Sequence, residues 1–125
     1  MRAIISSTVI LCSGLFLTSN SYADDLAKGK AVYDGAGACF SCHGAMGLGD
    51  GAAAAALNPK PRSFATGDFN FDTDGDGKKG TETDLFNIIT HGAVKYGGSP
   101  MMAGRPDLSE ADRKAVVKYV LSLKK

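Results

Sequence analysis

The residues Cys39-Phe40-Ser41-Cys42-His43 form a Cys-x-x-Cys-His pattern. Two thiols separated by two residues can reach one edge of a porphyrin from a single backbone turn, where each adds to one vinyl group. A histidine directly after the second cysteine can then serve as the proximal ligand of the iron. The motif therefore predicts haem c attached covalently to Cys39 and Cys42, with His43 as an axial ligand.

The same motif has two weaker interpretations. A bare Cys-x-x-Cys can be a redox-active disulfide or half of a zinc site. A zinc site needs more cysteine or histidine ligands, and downstream of the motif the chain offers only His91. A thioredoxin-like disulfide needs a βαβ pattern, which the sequence does not contain. Haem attachment is the favoured interpretation.

Residues 1–23 are predicted to be a secretory signal peptide. Arg2 supplies the positive region, a mostly apolar stretch follows, and Ser21-Tyr22-Ala23 fits the small-x-small cleavage rule. A retained membrane anchor is the alternative, although the apolar stretch is short for a membrane span. Cys12 follows Leu11 rather than the small residue of a lipoprotein signal, so we expect it to be removed with the peptide. Export is consistent with haem c, which is attached outside the cytoplasm, and predicts a periplasmic protein.

Length and charge restrict the remaining possibilities. The chain has 125 residues, too few for two ordinary domains, so residues 24–125 are expected to form one domain. Its 14 basic and 13 acidic residues nearly balance, which argues against a nucleic-acid partner. The chain contains no tryptophan and few aromatic residues. We therefore expect the haem to be the centre of the hydrophobic core.

Three helices are predicted from apolar spacing and capping signals. The first runs from Asp24 to about Tyr33, and Gly29 within it suggests a close crossing with another element. The second begins after a capping signal at residues 81–84 and ends at Gly92, and the third begins at residues 109–112. Their apolar faces comprise Leu85, Phe86, Ile88 and Ile89 in the second helix, and Val116, Val117, Val120 and Leu121 in the third.

The segments on either side of residue 55 are predicted to lie close to the haem. Residues 44–51 are too rich in glycine for a regular element and suit a loop along the haem edge. Asn58-Pro59-Lys60-Pro61-Arg62 must be extended, and the carbonyl of Pro59 is a candidate to accept a hydrogen bond from His43. The rings expected to pack on the haem or to cover its edge are Phe64, Phe69 and Phe71.

Residues 72–77 have the Asp-x-Asp-x-Asp-Gly opening of a calcium-binding loop, formed by Asp72, Asp74 and Asp76. Counting from Asp72, position 12 is Thr83, where such loops need a bidentate glutamate. A polar surface turn is therefore favoured over bound calcium.

The glycine- and proline-rich loop of residues 96–106 contains two adjacent methionines, Met101 and Met102. In a haem protein, a thioether on such a loop is suited to be the sixth ligand of the iron, and we expect one of the two to bind it. Met46 follows His43 by only three residues, too few to reach the opposite haem face. His91 is disfavoured as a ligand because the end of a helix suits a surface histidine.

Together these motifs resemble the class I monohaem c-type cytochromes of bacteria, over residues 24–125. The resemblance implies an all-α small cytochrome c fold, with about four helices around one haem and the first and last helices in close contact. It implies His43 and Met102 as axial ligands, because the family's methionine commonly follows the loop proline by two residues. Ala103 replaces the usual next proline, so Met101 remains the alternative. The residues that carry the resemblance are Gly29, Tyr33, Cys39, Cys42, His43, Gly47, Gly49 to Gly51, Asn58 to Pro61, Ser99 to Met102, Leu108, Ser109, Asp112 and Tyr119.

The function that the resemblance implies is electron transfer by a protein that is not an enzyme. Two protein ligands leave the iron no open position, so it can change oxidation state without binding a substrate. The expected partners are an oxidase, a cytochrome complex or an exported dehydrogenase. The alternatives are a haem enzyme or gas-binding protein with a labile sixth ligand, and a subunit docked permanently to an enzyme.

Overall fold

The computed structural model describes residues 21–125, and within them the chain is all-α. The helices are α1 (Ser21–Asp34), α2 (Phe40–His43), α3 (Glu82–His91) and α4 (Glu110–Ser122), with short 3-10 turns at Ala54–Ala56 and Val94–Tyr96. No strand occurs among the described residues, so the predicted all-α fold with about four helices is confirmed. Within residues 21–125, every helix is too short or too polar to cross a membrane.

Helix α1 contains the predicted first helix and starts three residues earlier, at Ser21. The predicted signal peptide, with Arg2 and Cys12, lies outside the described residues except for Ser21–Ala23, which form the first turn of α1. The helix ends where Gly35 and Gly37 donate to the carbonyls of Ala31 and Val32, which have no partner further along the helix.

The first and last helices cross at Gly29, as the sequence predicted. A Cβ at this position would lie 2.7 Å from the Cβ of Tyr119 and would overlap the carbonyl oxygen of Ala115. Only glycine therefore lets the two backbones approach so closely. Beside the crossing, the buried rings of Tyr33 and Tyr119 meet edge to face, with centroids 5.2 Å apart.

Helices α3 and α4 begin at the predicted caps. The Thr81 side chain accepts from the backbone N–H of Asp84, whose carboxylate accepts from the N–H of Thr81 in return, a complete capping box. Ser109 similarly accepts from the N–H of Asp112. The core between α1, α3 and α4 consists mainly of Val32, Tyr33, Leu85, Leu108, Val116, Val117 and Val120.

The glycine-rich loop of residues 44–51 was predicted to lie along the haem edge, but none of its residues lines the cavity described below. It folds behind α2, where Gly49 donates to the carbonyl of His43 at 2.8 Å and Gly51 donates to that of Cys42 at 3.1 Å. The last carbonyls of a helix have no partner within the helix, and this loop supplies them. The glycines are needed because a Cβ at Gly51 would collide with the backbone of Ser41.

The acidic loop of residues 72–77 is held by hydrogen bonds from its own backbone to its aspartates. The carboxylate of Asp72 accepts from the backbone N–H groups of Gly75, Asp76 and Gly77. The fully buried carboxylate of Asp84 ties the loop to α3, because it accepts from the N–H and hydroxyl groups of both Thr73 and Thr81. One oxygen each of Asp72, Asp74 and Asp84 lie within 4.8 Å of one another.

Candidate haem-binding site

A largely apolar cavity of about 510 Å³ lies between α2, α3, the extended segment after residue 57 and the methionine loop. Its volume is in the range of pockets that bind cofactors. The structure brings most of the sequence-predicted site residues into its wall: Cys39, Cys42, His43, Phe64, Phe69, Phe71, Met101 and Met102. The excluded candidates lie elsewhere, since Met46 and His91 are exposed and neither is in the wall.

The two thiols are presented by a single turn of helix. His43 donates its backbone N–H to the carbonyl of Cys39 at 2.9 Å, which places Cys39, Cys42 and His43 within one helical turn. Both cysteines are free and half-buried at the cavity wall. Burial raises the pKa of the Cys39 thiol, which keeps it protonated at neutral pH. The arrangement fits two adjacent thioether bonds on one edge of a flat ligand.

The His43 ring is held by one hydrogen bond and one stacked ring. Its Nδ1 lies 3.0 Å from the carbonyl oxygen of Arg62, and a carbonyl can only accept, so Nδ1 carries the proton. The Phe64 ring stacks on His43 with centroids 4.4 Å apart and an interplanar angle of 23°. Burial lowers the pKa of the imidazole and favours its neutral form. Nε2 therefore keeps its lone pair, as a metal ligand requires.

The carbonyl of Pro59 was predicted to accept a hydrogen bond from His43, and this prediction was wrong. The acceptor is the carbonyl of Arg62, three residues later. The chain stays irregular from Leu57 to Arg62, and its path brings Arg62, not Pro59, opposite the ring. The same path places Phe64 against the ring. This contact depends on how an extended segment returns to α2, which no local pattern in the sequence specifies.

The methionine loop forms a separate part of the wall. Met101 is 63% exposed, whereas Met102 is half-buried. The backbone of Met102 is held at both ends, because its N–H donates to the carbonyl of Ser99 and its carbonyl accepts from the N–H of Ala93 at 3.0 Å. Both thioethers remain chemically able to bind iron.

Besides Arg62, Tyr33 and Arg105 line the cavity although the sequence did not assign them to the site. Tyr33 was assigned only to the first helix, but its hydroxyl donates to the carbonyl of Gly44 at 2.7 Å and so fixes the chain just after His43. Arg105 lies in the wall and bonds to residues about seventy positions away along the chain. The one feature of the sequence that could have pointed to Arg105 is its position shortly after the two methionines.

The cytochrome c family model matches residues 26–124, which is most of the chain. The chain belongs to the cytochrome c family. Its cytochrome c domain supports a role in electron transfer and implies covalently bound haem c. The free thiols one turn apart, the imidazole tautomer and the apolar cavity all fit that group.

Among solved structures, the cytochrome c domain is similar to a chain of the Kuenenia stuttgartiensis reducing HAO-like protein complex Kustc0457/Kustc0458. The two are 29% identical with a TM-score of 0.66, and the match covers 82% of this chain. It covers 44% of the other chain, so this protein spans less than half of that chain's length. Among curated proteins, none matches the chain at a significant level.

Proposed function

We propose that the protein is a periplasmic electron carrier with one haem c, attached to Cys39 and Cys42, whose iron is bound by His43 and Met102. The observation that carries the proposal is the cavity wall, which combines a neutral His43 whose Nδ1 bonds to a carbonyl with a methionine-bearing loop. When bound, haem supplies one-electron redox chemistry at its iron. The protein's part is to hold two axial ligands and to surround the group with an apolar wall.

Met102 is proposed over Met101 because of burial and backbone anchoring. A ligand must leave water and keep a fixed position, and Met102 is half-buried with both backbone groups hydrogen-bonded. Met101 is mostly exposed, and its N–H bonds only to the side chain of Ser99. A thioether ligand favours the ferrous state and raises the reduction potential relative to a second histidine.

Export is the second part of the proposal, and the sequence supports it. Residues 1–23 have the pattern of a signal peptide, and the attachment chemistry of haem c takes place outside the cytoplasm. The proposed partners are an oxidase, a cytochrome complex or an exported dehydrogenase. Such redox encounters use small interfaces, often below about 1,200 Å² in total.

A second candidate is a subunit that remains docked to a redox enzyme. The similarity to a chain of a reducing HAO-like complex favours it. The two candidates share the site and differ in the lifetime of the complex. Sizing of the native protein from its own host separates them, because a carrier elutes as a small protein and a docked subunit elutes with its enzyme.

Visible spectroscopy of the purified holoprotein tests the proposed ligands. A His/Met-ligated ferric haem gives a weak sulfur-to-iron charge-transfer band, and the reduced form does not bind carbon monoxide at once. We expect Met102→Ala to abolish the band and to open the site to carbon monoxide, while Met101→Ala leaves both unchanged. The reverse pattern would assign Met101. Rapid carbon monoxide binding by the wild type would instead favour a haem enzyme or gas-binding protein.

The mass of the mature protein tests attachment and export together. We expect a chain that starts at Asp24 and carries the mass of one haem. Replacement of either motif cysteine with alanine should leave the haem on a single thioether. A protein without covalent haem would contradict the whole proposal.

A further inference from the structure

The loop that carries both methionines is held on one side by the end of α3. The N–H of Ala93 donates to the carbonyl of Met102 at 3.0 Å, and the N–H of Arg105 donates to the carbonyl of Ile89 at 2.7 Å. Between these two bonds the loop lies directly on the helix, because a Cβ at Gly104 would be 2.7 Å from the backbone carbon of His91. The backbone of residues 102–105 is thus fixed to α3.

The Arg105 side chain holds the loop on its other side. Its Nη1 donates to the carbonyl of Gly37 at 2.6 Å, and its Nη2 donates to that of Ala36 at 2.7 Å. These two carbonyls belong to the turn between α1 and the Cys39 end of the motif, 68 and 69 residues earlier in the chain. The guanidinium is thus a direct link between the segment before the proposed attachment site and the segment after the proposed sulfur ligand.

Most N–H groups of the Arg105 guanidinium are used in hydrogen bonds within the protein. The carboxylate of Asp107 accepts two further hydrogen bonds from the guanidinium. Arg105 Nε donates to Asp107 Oδ1 at 2.9 Å, and Arg105 Nη2 donates to Asp107 Oδ2 at 2.8 Å. Of the five N–H groups that an arginine carries, these contacts use four. The side chain is also only 31% exposed. Arg105 is therefore oriented within the protein and is poorly suited to serve as a free docking charge.

We propose that Arg105 is a positioning residue that keeps the methionine loop closed over the iron by tying it to the Ala36–Gly37 turn. This inference rests on the proposed methionine ligation. An external ligand can bind the iron only after the sulfur has left it, which requires the loop to open, so the apparent affinity for that ligand is set by the open population. A charge-assisted link between two chain segments lowers that population.

The test is a titration of the ferric holoprotein with imidazole, in which binding is measured through the loss of the sulfur-to-iron band. We expect Arg105→Gln to raise the apparent imidazole affinity about tenfold or more, the effect of losing one charge-assisted hydrogen bond on the open population. The imidazole affinity of Arg105→Lys should lie between those of the wild type and Arg105→Gln, because a single ammonium cannot bind both carbonyls and Asp107 at once. Asp107→Asn leaves the arginine in place without its anionic partner and should give a smaller increase.

Arg113 provides the matched control. It is a second half-buried arginine, it donates to Thr90 at 2.9 Å and lies over the Phe86 ring, and these contacts join α3 to α4 without touching the methionine loop. We expect Arg113→Gln to lower the thermal midpoint and to leave imidazole affinity unchanged. If Arg113→Gln lowered the thermal midpoint as much as Arg105→Gln and raised the imidazole affinity equally, the proposal would be overturned. General destabilisation would then explain the effect of both substitutions.

The outcomes separate this inference from the proposed function. A wild-type protein without the sulfur-to-iron band would reject methionine ligation and with it the role of Arg105. A wild type with the band, combined with unchanged imidazole affinity in both Arg105→Gln and Asp107→Asn, would reject the role of Arg105 alone.

Discussion

Replacement of Gly29 by alanine should destabilise the protein, although alanine is the better helix former. In an exposed helix the change would stabilise by about 1 kcal/mol. At the α1–α4 crossing, however, the new Cβ would lie 2.7 Å from the Cβ of Tyr119 and would overlap the Ala115 carbonyl, which is backbone and cannot rotate away. Overpacking of this kind costs about 1–3 kcal/mol, with the upper end expected against backbone. We therefore expect a net loss of roughly 1–2 kcal/mol.

Guanidinium unfolding of the holoprotein, followed by far-ultraviolet circular dichroism, measures this loss. In a domain of about 100 residues it corresponds to a fall of about 5–15 °C in the thermal midpoint. Ala27→Gly, at an exposed position of the same helix, is the matched control for helix propensity alone and should cost about 1 kcal/mol. The haem spectrum should not change, because Gly29 is not in the cavity wall. If Gly29→Ala were as stable as the wild type, the close crossing would be refuted.

Three further predictions concern buried side chains. Tyr33→Phe removes the hydroxyl that donates to Gly44 and should cost about 1 kcal/mol in thermal unfolding; no loss would mean that water replaces the bond. Phe64→Leu removes the ring stacked on His43 and should also cost about 1 kcal/mol, again measured by thermal unfolding. Asp84 is the acid-sensitive group: burial opposes its ionisation, but four donated hydrogen bonds outweigh burial and lower its pKa. Its stabilisation is therefore present above the unfolded pKa of about 3.9 and is lost as the pH falls towards the folded value. Asp84→Asn should flatten the acid side of the curve of unfolding midpoint against pH, and an unchanged curve would contradict this assignment.

Much of the fold was predicted because its signals are local. The caps at Thr81 and Ser109 depend on residues only three positions apart, and both form as expected. Gly29 revealed the helix crossing because a glycine inside a helix needs a reason, and close approach supplies it. The Cys39–His43 motif is local as well, since one helical turn presents all three of its functional groups.

The predictions that failed concern segments without regular structure. The glycine-rich loop was expected along the haem edge, but none of its residues lines the cavity, and its N–H groups satisfy the free carbonyls of α2. The acceptor for His43 is the carbonyl of Arg62 rather than that of Pro59. In an irregular segment each residue can take several backbone conformations, so a prediction of which carbonyl meets a distant ring can miss by several residues.

The sequence by itself therefore determined the chemistry of this protein: the haem motif, the family, the three longer helices and the pair of candidate sulfur ligands. The tertiary structure alone decided how those groups are held. It gave His43 its tautomer through Arg62, distinguished half-buried Met102 from exposed Met101, and joined Arg105 to Ala36 and Gly37. The physical reason is the range of the interactions. Covalent attachment, capping and apolar periodicity act between near neighbours, whereas burial and long-range hydrogen bonds depend on the complete path of the chain.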